Sequence, residues 1–380
     1  MRLLFFGTYD AAAHPRVAVL RDGLRDRGAT VRECNAPLGL STADRVGMLR
    51  NPLTLPRLGW RIARCWLDLW RRSRPFRRQG GWPDAVVVGY LGHFDVLLAR
   101  RLFPHVPIVL DHLVGASDTA RDRGVAGGSR QRLLRALDDA ALAAADVVVV
   151  DTDEHRSALP AVARRRAVVV AVGAPQEWYA AQPAGRDARR PAGDDPELRV
   201  IFFGLFTPLQ GAPVIGAALG LVADAPVRAT MVGTGQDLAA TRQAAGGNDR
   251  VRWLDWVPAA ELPSLVADHD VCLGIFGEGP KAARVVPNKV FQGAAAGCAV
   301  VTSDTPPQRR VLGEQPDAAV LVPAGDPRAL AAALRGLAAD RTRLELARTA
   351  ARKLALDAFT PDRVVAPLDD RLRSLVPPEA

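Results

Sequence analysis

Three cationic residues surround one loop and the start of the following helix, within residues 276–304. Lys281, Arg284 and Lys289 flank Pro287. Proline suits a first helical residue, because the N–H that it lacks would have no partner there. The stretch predicts a strand, a loop, a helix, a turn and a second strand. Free N–H groups and the helix dipole attract anions at a helix start, so a phosphate or diphosphate suits this place.

Lysine is rare in this chain, which contains 47 arginines and three lysines. Two of the three lysines lie in the stretch just described, which indicates that a compact point charge matters there. The alternative is a solvated loop that caps a buried helix and binds nothing. The residues alone leave both interpretations open.

Buried strands must position this loop. Short runs rich in valine and isoleucine recur, each followed by a segment of helical length, as in parallel sheets covered on both faces. The predicted strands are 3–6, 30–34, 85–88, 108–110, 147–150 and 168–172, then 200–203, 228–232, 251–254, 271–275, 299–302 and 320–322. We expect an α/β fold of two doubly wound, Rossmann-like domains that face a cleft.

Length and composition agree with two globular domains. The 380 residues exceed one ordinary core, and apolar residues make up 48% of the chain. Residues 176–197 are rich in Pro, Gly, Asp and Arg without periodicity, which predicts a linker. It would separate a first domain at 1–175 from a second domain at 198–355.

Ligands of doubly wound domains bind beyond the carboxyl ends of the strands, so the loops there hold the candidate site residues. In the first domain these are Gly7, Thr8, His14, His93, His112 and Asp118. In the second they are Gly204, Thr207, Gln210, Gly211, Gly233 and Gly235. Simple turn or capping roles are the alternative for each.

Neither a metal site nor a membrane span is expected. The four cysteines and six histidines show no metal-binding spacing, so reduced structural thiols are predicted. No uncharged run reaches the 18 or so residues of a membrane helix. The N-terminus predicts a first strand rather than a signal peptide, and therefore a cytoplasmic protein.

The net charge of +9 is concentrated in residues 44–78, which hold ten arginines against two acidic residues. Within 57–78, apolar residues and arginines alternate at roughly helical spacing, with Trp60, Trp66 and Trp70 among them. This composition suits a helix lying on an anionic bilayer. A helix on the domain surface, with core tryptophans and solvated arginines, is the equal alternative. Nucleic-acid binding is not expected, because no recognised module accompanies the arginines.

Six motifs follow one another in the second half of the chain, at 201–211, 231–235, 251–257, 270–274, 287–302 and 322–330. In this order they resemble the donor-binding half of family 4 glycosyltransferases, which have the two-domain GT-B fold. Each motif alone is common, whereas the ordered set is specific. The first domain resembles the family less closely.

The resemblance implies a role for each matching residue. Arg284 and Lys289 would hold the donor diphosphate as catalytic cations, and His112 would be the histidine of the cleft. Trp256 and Val257 would lie along the nucleotide base, and Gln292 would face the ribose. The remaining donor contacts would be Gly204, Thr207, Gln210, Gly211, Gly233, Gly235, Lys281, Pro287 and Asn288. Acceptor contacts would be Gly7, Thr8, His14, His93 and Asp118.

Family members typically retain the anomeric configuration and need neither a metal nor a cofactor. The leaving diphosphate itself can take the acceptor proton while cations stabilise the developing charge. The resemblance also implies that the C-terminal segment 356–380 returns to the first domain.

The sequence departs from the family in the donor half. Gln292 replaces the second of two glutamates usually spaced eight apart, and the first has no match, since Glu278 lies too far upstream. Leu205 and Gln210 replace an arginine and a lysine of the first loop. Asp151-Thr152-Asp153 is an Asp-x-Asp sequence, the metal-binding pair of another transferase class, but Asp151 or Asp153 is better explained as a helix N-cap.

The prediction is a retaining glycosyltransferase that uses a nucleotide diphosphate sugar. A lipid-linked acceptor, peripheral membrane contact through 57–78 and a place at the inner face of the membrane are hypotheses that follow from the arginines and tryptophans. A nucleotide-sugar epimerase of the same fold and a non-catalytic nucleotide-sugar binding protein are the alternatives. A dehydrogenase fits less well, because neither domain has a clean GxGxxG followed by an acidic residue.

Overall fold

A computed structural model describes residues 1–10, 14–40, 55–78, 80–90, 92–113, 115, 128–181, 197–313 and 315–376. The chain divides into two compact units. The first unit contains Met1–Ala171 together with Val364–Ala380, and the second contains Val172–Arg363. The division therefore falls a few residues before the predicted linker, and the chain returns to the first unit at its C-terminus.

Six parallel strands form the sheet of the first unit. They are β1 (Arg2–Gly7), β2 (Thr30–Asn35), β3 (Ala85–Val88), β4 (Ile108–Asp111), β5 (Val147–Val150) and β6 (Ala167–Val169), in the order β2-β1-β3-β4-β5-β6. The helices are α1 (Pro15–Asp26), α2 (Leu55–Arg72), α3 (Asp95–Leu102), α4 (Gly128–Ala144), α5 (Asp153–Ala158) and α6 (Ala161–Arg165), with a 3₁₀ turn at Arg74–Arg77. Strands β3, β4 and β5 are buried throughout, as expected for valine-rich strands covered on both faces.

The second unit repeats this architecture. Its strands are β7 (Leu198–Phe203), β8 (Val227–Val232), β9 (Val251–Leu254), β10 (Val271–Leu273), β11 (Ala299–Ser303) and β12 (Ala319–Val322), in the order β12-β11-β10-β7-β8-β9. The helices are α7 (Gln176–Tyr179), α8 (Ala212–Leu221), α9 (Leu238–Ala244), α10 (Leu262–Ala267), α11 (Asn288–Ala295), α12 (Pro306–Leu312), α13 (Pro327–Ala339) and α14 (Arg341–Leu354). Short 3₁₀ turns lie at Pro208–Gln210, Ala282–Arg284 and Pro316–Ala318, and a π-helical turn at Ala355–Phe359.

All twelve predicted strands are present, and both sheets are parallel, which confirms the predicted fold of two doubly wound domains. Differences are confined to the ends of strands. β6 ends at Val169 rather than 172, and β10 ends at Leu273 rather than 275. Element ends are the least certain part of any sequence-based assignment.

The last two helices, α15 (Pro361–Val364) and α16 (Ala366–Leu375), bring the C-terminal part of the chain onto the first unit. Leu368 and Leu372 of α16 are fully buried in a core that includes Leu3 and Phe5 of β1. The Asp369 carboxylate accepts a hydrogen bond of 2.9 Å from Nε of Arg27. Apolar burial and this ion pair together hold α16 in place.

Part of the predicted linker has defined structure. Gln176–Tyr179 form α7, and the indole of Trp178 is buried and stacks on the ring of Phe203 with 5.7 Å between centroids. The large apolar ring explains why this segment packs onto the second unit. Residues 182–196 of the predicted linker lie outside the described residues.

Candidate functional site

Closely packed loops follow β7 and β8 in the second unit. A Cβ atom on Gly233 would lie 1.9 Å from the carbonyl oxygen of Gly204, so no side chain fits between these two loops. A Cβ on Gly235 would lie 2.3 Å from the carbonyl oxygen of Phe206. Glycine therefore serves close backbone approach here, beyond the needs of a simple turn.

Gly211 joins the first of these loops to the loop after β10. Its φ of +61° lies in the left-handed region, and a Cβ there would lie 2.4 Å from the backbone N of Gly277. Gly211 is also the N-cap of α8. Three loops at the carboxyl ends of β7, β8 and β10 thus form one assembly, which we call the loop cradle: residues 204–211, 233–237 and 274–281.

Lys289 reaches this cradle from the first turn of α11. The side chain is buried, with 4% of the residue exposed, and Nζ donates a hydrogen bond to Oε1 of Gln210. Nζ also lies 4.0 Å from the centroid of the Phe202 ring, a cation–π distance. It would be 3.4 Å from a Cβ on Gly204. The ammonium group therefore lies where β7 ends and its loop begins.

Burial lowers the pKa of Lys289 from 10.5 to about 7. The cause is loss of solvation of the charged form, with a small opposing effect from Cys272. Across the described ranges, no carboxylate forms an ion pair with this lysine. An anionic ligand in the cradle would supply the missing charge.

The other predicted donor residues surround the start of α11. Pro287 is the N-cap, so the helix begins one residue later than predicted, at Asn288. Gln292 is buried on the same helix, one turn beyond Lys289. Arg284 ends a 3₁₀ turn and donates a hydrogen bond of 3.1 Å from Nε to the carbonyl oxygen of Pro280. That bond fixes the path of the guanidinium group beside the cradle.

Lys281, Thr207, Trp256 and Val257 lie on loops at the same carboxyl-terminal edge of the sheet. Lys281 is the N-cap of the 3₁₀ turn that contains Arg284, and Thr207 is the N-cap of the turn Pro208–Gln210. Trp256 follows β9 and is 77% exposed, whereas Val257 is partly buried. An indole exposed to this extent at the edge of the cradle is available to stack on a flat ligand.

The predicted residues of the first unit also lie at strand ends, and several have internal partners. The Asp95 carboxylate accepts hydrogen bonds from the backbone N and Oγ1 of Thr8, at 2.7 and 2.8 Å, and from Nε1 of Trp66 at 3.1 Å. A Cβ on Gly7 would lie 3.0 Å from the same carboxylate. These contacts give Thr8 a structural role in joining β1, α2 and α3.

His93 and His112 lie side by side after β3 and β4, with ring centroids 5.2 Å apart. Both are buried, and Nε2 of His93 lies 3.5 Å from Oδ1 of Asp138 on α4. Burial lowers the pKa of His93, and it lowers the pKa of His112 to about 3. Both imidazoles are therefore neutral at pH 7 and can accept a hydrogen bond from a hydroxyl group.

His14 is the N-cap of α1, and its ring contacts the ring of Tyr90 edge to face at 5.0 Å. Asp118 lies outside the residues that the structure describes. The N-cap of α5 is Thr152, whose Oγ1 accepts from the backbone N of His155, so the prediction of Asp151 or Asp153 as the cap was wrong. The threonine hydroxyl reaches the third residue after it, as N-caps do.

Both aspartates of the Asp-x-Asp sequence contact side chains of α5, the helix that follows. Asp151 contacts Nδ1 of His155, and Asp153 pairs with Arg156 at 3.0 Å. Within the described ranges, no group of three His, Cys, Asp or Glu side chains is placed to hold a metal ion. No described helix is long and apolar enough to cross a membrane.

A broad hollow lies at the opposite edge of the second sheet, where β7, β8 and β9 begin. It is lined by Arg199, Thr230, Arg252 and His269 among others. His269 is satisfied there by Oγ1 of Thr230 at 2.9 Å and by the carbonyl oxygen of Leu265 at 2.8 Å. This hollow is separate from the loop cradle, because the two lie at opposite ends of the same strands.

Three residues of these sites escape prediction from sequence. Phe202 is the ring beneath the Lys289 ammonium, Asp95 holds three donors, and Asp138 stands behind His93. Phe202 has the sequence context of an ordinary strand residue. Asp95 is far in sequence from Thr8, whose groups it accepts from, and Asp138 is far in sequence from His93. The position of Asp95 six residues after a glycine-rich strand end was the one available signal.

Comparison with known proteins gives a family match for part of the chain and a fold for the whole. Residues 197–340 match the model of the family described as glycosyl transferases group 1. No curated protein sequence matches the chain.

Solved structures similar to the whole chain share its fold at low identity. Sucrose-phosphate synthase from Thermosynechococcus elongatus is 17% identical, with a TM-score of 0.68 and 98% of each chain covered. Anabaena HepE in complex with UDP is 16% identical, with a TM-score of 0.66, over 98% of this chain and 99% of that one. The HepE complex with UDP-glucose is 15% identical, with a TM-score of 0.65, over 98% and 100%.

The fold is thus that of GT-B glycosyltransferases, and the match of the second unit supports a protein of this type. The finer assignment to family 4 stays a prediction.

Proposed function

We propose that this protein transfers a sugar from a nucleotide diphosphate sugar to an acceptor hydroxyl, with retention of anomeric configuration. The observation that carries the proposal is the buried ammonium group of Lys289, which enters the loop cradle without a carboxylate partner in the described part of the chain. Burying an unpaired charge costs free energy, and a diphosphate at this place would offset that cost.

The similar structures support a donor of this class. HepE was solved with UDP and with UDP-glucose. The cradle of this chain lies at the carboxyl ends of parallel strands, where doubly wound domains bind their ligands. We propose a uridine nucleotide as the first donor to test. Trp256 would stack on the base, while Gln292 would bond a ribose hydroxyl.

The proposed reaction breaks the bond between the anomeric carbon and a diphosphate oxygen. A new bond forms from the same carbon to the acceptor oxygen, on the same face of the sugar. The acceptor proton passes to an oxygen of the leaving diphosphate. Lys289 and Arg284 would stabilise the charge that develops on that diphosphate. With these two cations in place, the proposed reaction needs no added metal or cofactor.

The loops of the first unit would bind the acceptor. His93 and His112 are both neutral near pH 7 because burial lowers their pKa values, so either imidazole can accept a hydrogen bond from the acceptor hydroxyl. We further propose a lipid-linked or membrane-proximal acceptor, because α2 exposes Trp60 and Trp70 among arginines.

The test is to incubate the purified protein with UDP-glucose and a panel of hydroxyl acceptors, polyprenyl phosphate-linked sugars included. We expect nucleoside diphosphate release that requires an acceptor, and an α-linked product by NMR from the α-configured donor. A β-linked product would contradict retention. Isomerised nucleotide sugar without acceptor would indicate an epimerase, and tight donor binding without any turnover would indicate a binding protein.

A further inference from the structure

Helix α2 presents two different faces. Leu58 and Leu69 are buried against the first unit, and Trp66 donates its indole N–H to Asp95. On the opposite side, Trp60, Leu67 and Trp70 are 62%, 47% and 38% exposed. A helix buried on one face normally has a polar outer face, so this exposed apolar stripe needs a separate explanation.

The exposed residues form one stripe. At about 100° per residue, positions 60, 63, 67 and 70 fall within about 80° of the helix circumference. Residue 63 is an exposed alanine, so nothing polar interrupts the stripe. We call this set, Trp60, Ala63, Leu67 and Trp70, the indole stripe.

Arginines border the indole stripe. Arg57, Arg64 and Arg71 repeat every seven residues along one edge, and all three are exposed. The guanidinium of Arg64 lies 5.6 Å from the Trp60 ring centroid, and that of Arg74 lies 4.4 Å from the Trp70 ring centroid. Residues 55–78 contain eight arginines and one acidic residue, Asp68. That aspartate pairs with Arg72 at 2.8 Å, on the side away from the stripe.

We propose that the indole stripe and its arginines dock this protein on the surface of a bilayer that contains anionic phospholipid. Tryptophan and leucine would enter the boundary between headgroups and acyl chains, and the arginines would meet lipid phosphates. The stems of the arginines add apolar contact at the same depth.

Charge complementarity favours an anionic bilayer over a second copy of the chain and over a nucleic acid. A second copy of the chain would set one arginine cluster against another, and like charges oppose such an interface. A nucleic acid duplex would satisfy the arginines through its phosphates but would leave Leu67 and the stripe in water. Of these three partners, the anionic bilayer alone satisfies the charges and covers the apolar stripe together. Docking of this kind needs no donor, so it does not depend on transferase activity.

Flotation of the full chain with vesicles tests the proposal. One set of vesicles contains phosphatidylcholine alone, and the other contains phosphatidylcholine with phosphatidylglycerol. We expect at least tenfold stronger partitioning to the anionic vesicles, weakened but not abolished in high salt, because salt screens the arginines and leaves apolar burial intact. A blue shift of tryptophan emission should accompany binding.

Matched variants locate the surface. Trp60→Ser with Trp70→Ser, and Arg64→Glu with Arg71→Glu, should each lower partitioning at least tenfold. Leu133→Ser, and Arg132→Glu with Arg135→Glu, change equally exposed positions of α4 in the same unit and should leave partitioning within twofold. An unchanged melting temperature and an unchanged nucleotide-sugar affinity in every variant would show that only the surface was altered.

Three results would overturn the proposal. One is equal partitioning to neutral and anionic vesicles. Another is an equal loss of partitioning to anionic vesicles in the α2 variants and the α4 variants. The third is absence of binding to the anionic vesicles. Stripe-dependent self-association in ultracentrifugation, or stripe-dependent binding to single-stranded DNA, would then assign the surface to a different partner.

Discussion

The ammonium group of Lys289 is the residue on which the proposed chemistry depends most. Its pKa of about 7 means that the free protein carries this charge below pH 7 and loses it as the pH rises. A nucleotide diphosphate sugar keeps its own charge over this range, because its diphosphate is esterified at both ends. Donor affinity should therefore be constant below pH 6.5 and should fall up to about tenfold per pH unit above 7.5.

Calorimetric titration of the donor between pH 6 and 9 measures this dependence. Lys289→Arg provides the comparison, because a guanidinium stays charged throughout and should give a flat profile. The same slope in both proteins would show that another group is responsible.

Burial of the Lys289 ammonium group should lower the free energy of unfolding at pH 7. Its folded pKa of about 7 lies below the value of 10.5 expected in the unfolded chain, so between these values the unfolded chain binds more protons. The contribution of Lys289 to the free energy of unfolding therefore rises as the pH increases from about 7 to 10. Lys289→Met keeps the packing against Phe202 and removes the charge, so it should unfold no more easily than the parent at pH 7 while losing donor binding.

Urea denaturation at pH 7 and pH 9 checks this expectation. The advantage of Lys289→Met over the parent should shrink at pH 9. The control is Lys353→Met, whose side chain is 64% exposed in an ion pair with Asp357 and should barely change stability. A loss of more than about 2 kcal/mol in Lys289→Met would make the lysine a structural residue instead.

For single residues, the sequence predicted which loops lie together around Lys289 but not which side chains contact one another there. The scarcity of lysine and the helix start drew attention to Lys289, which the structure places beside the loop cradle, while its role in donor binding stays a prediction. Its burial over Phe202 and its bond to Gln210 depend on contacts between residues about 80 positions apart, which no local pattern encodes.

At the scale of elements, the loop cradle depends on backbone contacts that only glycine permits. Gly211 and Gly246 have nearly equal φ values, +61° and +63°, but a Cβ on Gly211 would strike Gly277, whereas a Cβ on Gly246 meets nothing within 4 Å. Gly246→Ala should cost about 1 kcal/mol, the strain of a left-handed alanine. Gly211→Ala should cost at least about 2 kcal/mol more, because two loops must separate.

Chemical denaturation gives the two stabilities, and nucleotide-sugar titration shows whether the cradle survives. Donor binding should be lost in Gly211→Ala and kept in Gly246→Ala. Equal effects of the two substitutions would show that the loop contact is unimportant.

In the first unit, the carboxylate of Asp95 joins three elements, β1, α2 and α3. Asp95→Ala leaves the backbone N–H of Thr8 and the indole N–H of Trp66 without their acceptor, which should cost about 3 kcal/mol. Asp68→Ala, in an exposed i,i+4 ion pair on α2, should cost no more than about 0.5 kcal/mol. Denaturation monitored by tryptophan fluorescence compares them, and equal losses would contradict a joining role for Asp95.

Periodicity predicted the elements well because continuous runs of valine and isoleucine suit only buried strands. It failed at caps and at element ends. Thr152 rather than an aspartate caps α5, and Pro287 precedes α11 rather than beginning it. Such details depend on which side chain reaches a free N–H, a choice that several neighbouring residues could make.

For the whole molecule, the return of the chain to the first unit is the main topological feature. Leu368 of α16 is fully buried there beside residues of β1. Leu368→Ala should therefore lower the stability of the first unit by about 2 to 5 kcal/mol, while the second unit still binds donor. Leu346→Ala, at a position 60% exposed in α14, is the control and should change little.

Limited proteolysis during denaturation shows which unit opens first. Cleavage of the first unit should begin at lower denaturant in Leu368→Ala, with the donor-induced protection of the second unit unchanged. Loss of that protection in the same variant would mean that the two units do not unfold separately.

Ligand-induced stabilisation shows whether the loop cradle binds a nucleotide sugar through Lys289. The parent, Lys289→Met and Lys353→Met are melted with UDP, GDP, dTDP and ADP sugars. A ligand at 100 times its Kd should stabilise its protein by about 2.7 kcal/mol. We predict that one nucleotide class, that of uridine, stabilises the parent and Lys353→Met but not Lys289→Met. Stabilisation of none of them, or of all three equally, would contradict a donor diphosphate site at Lys289.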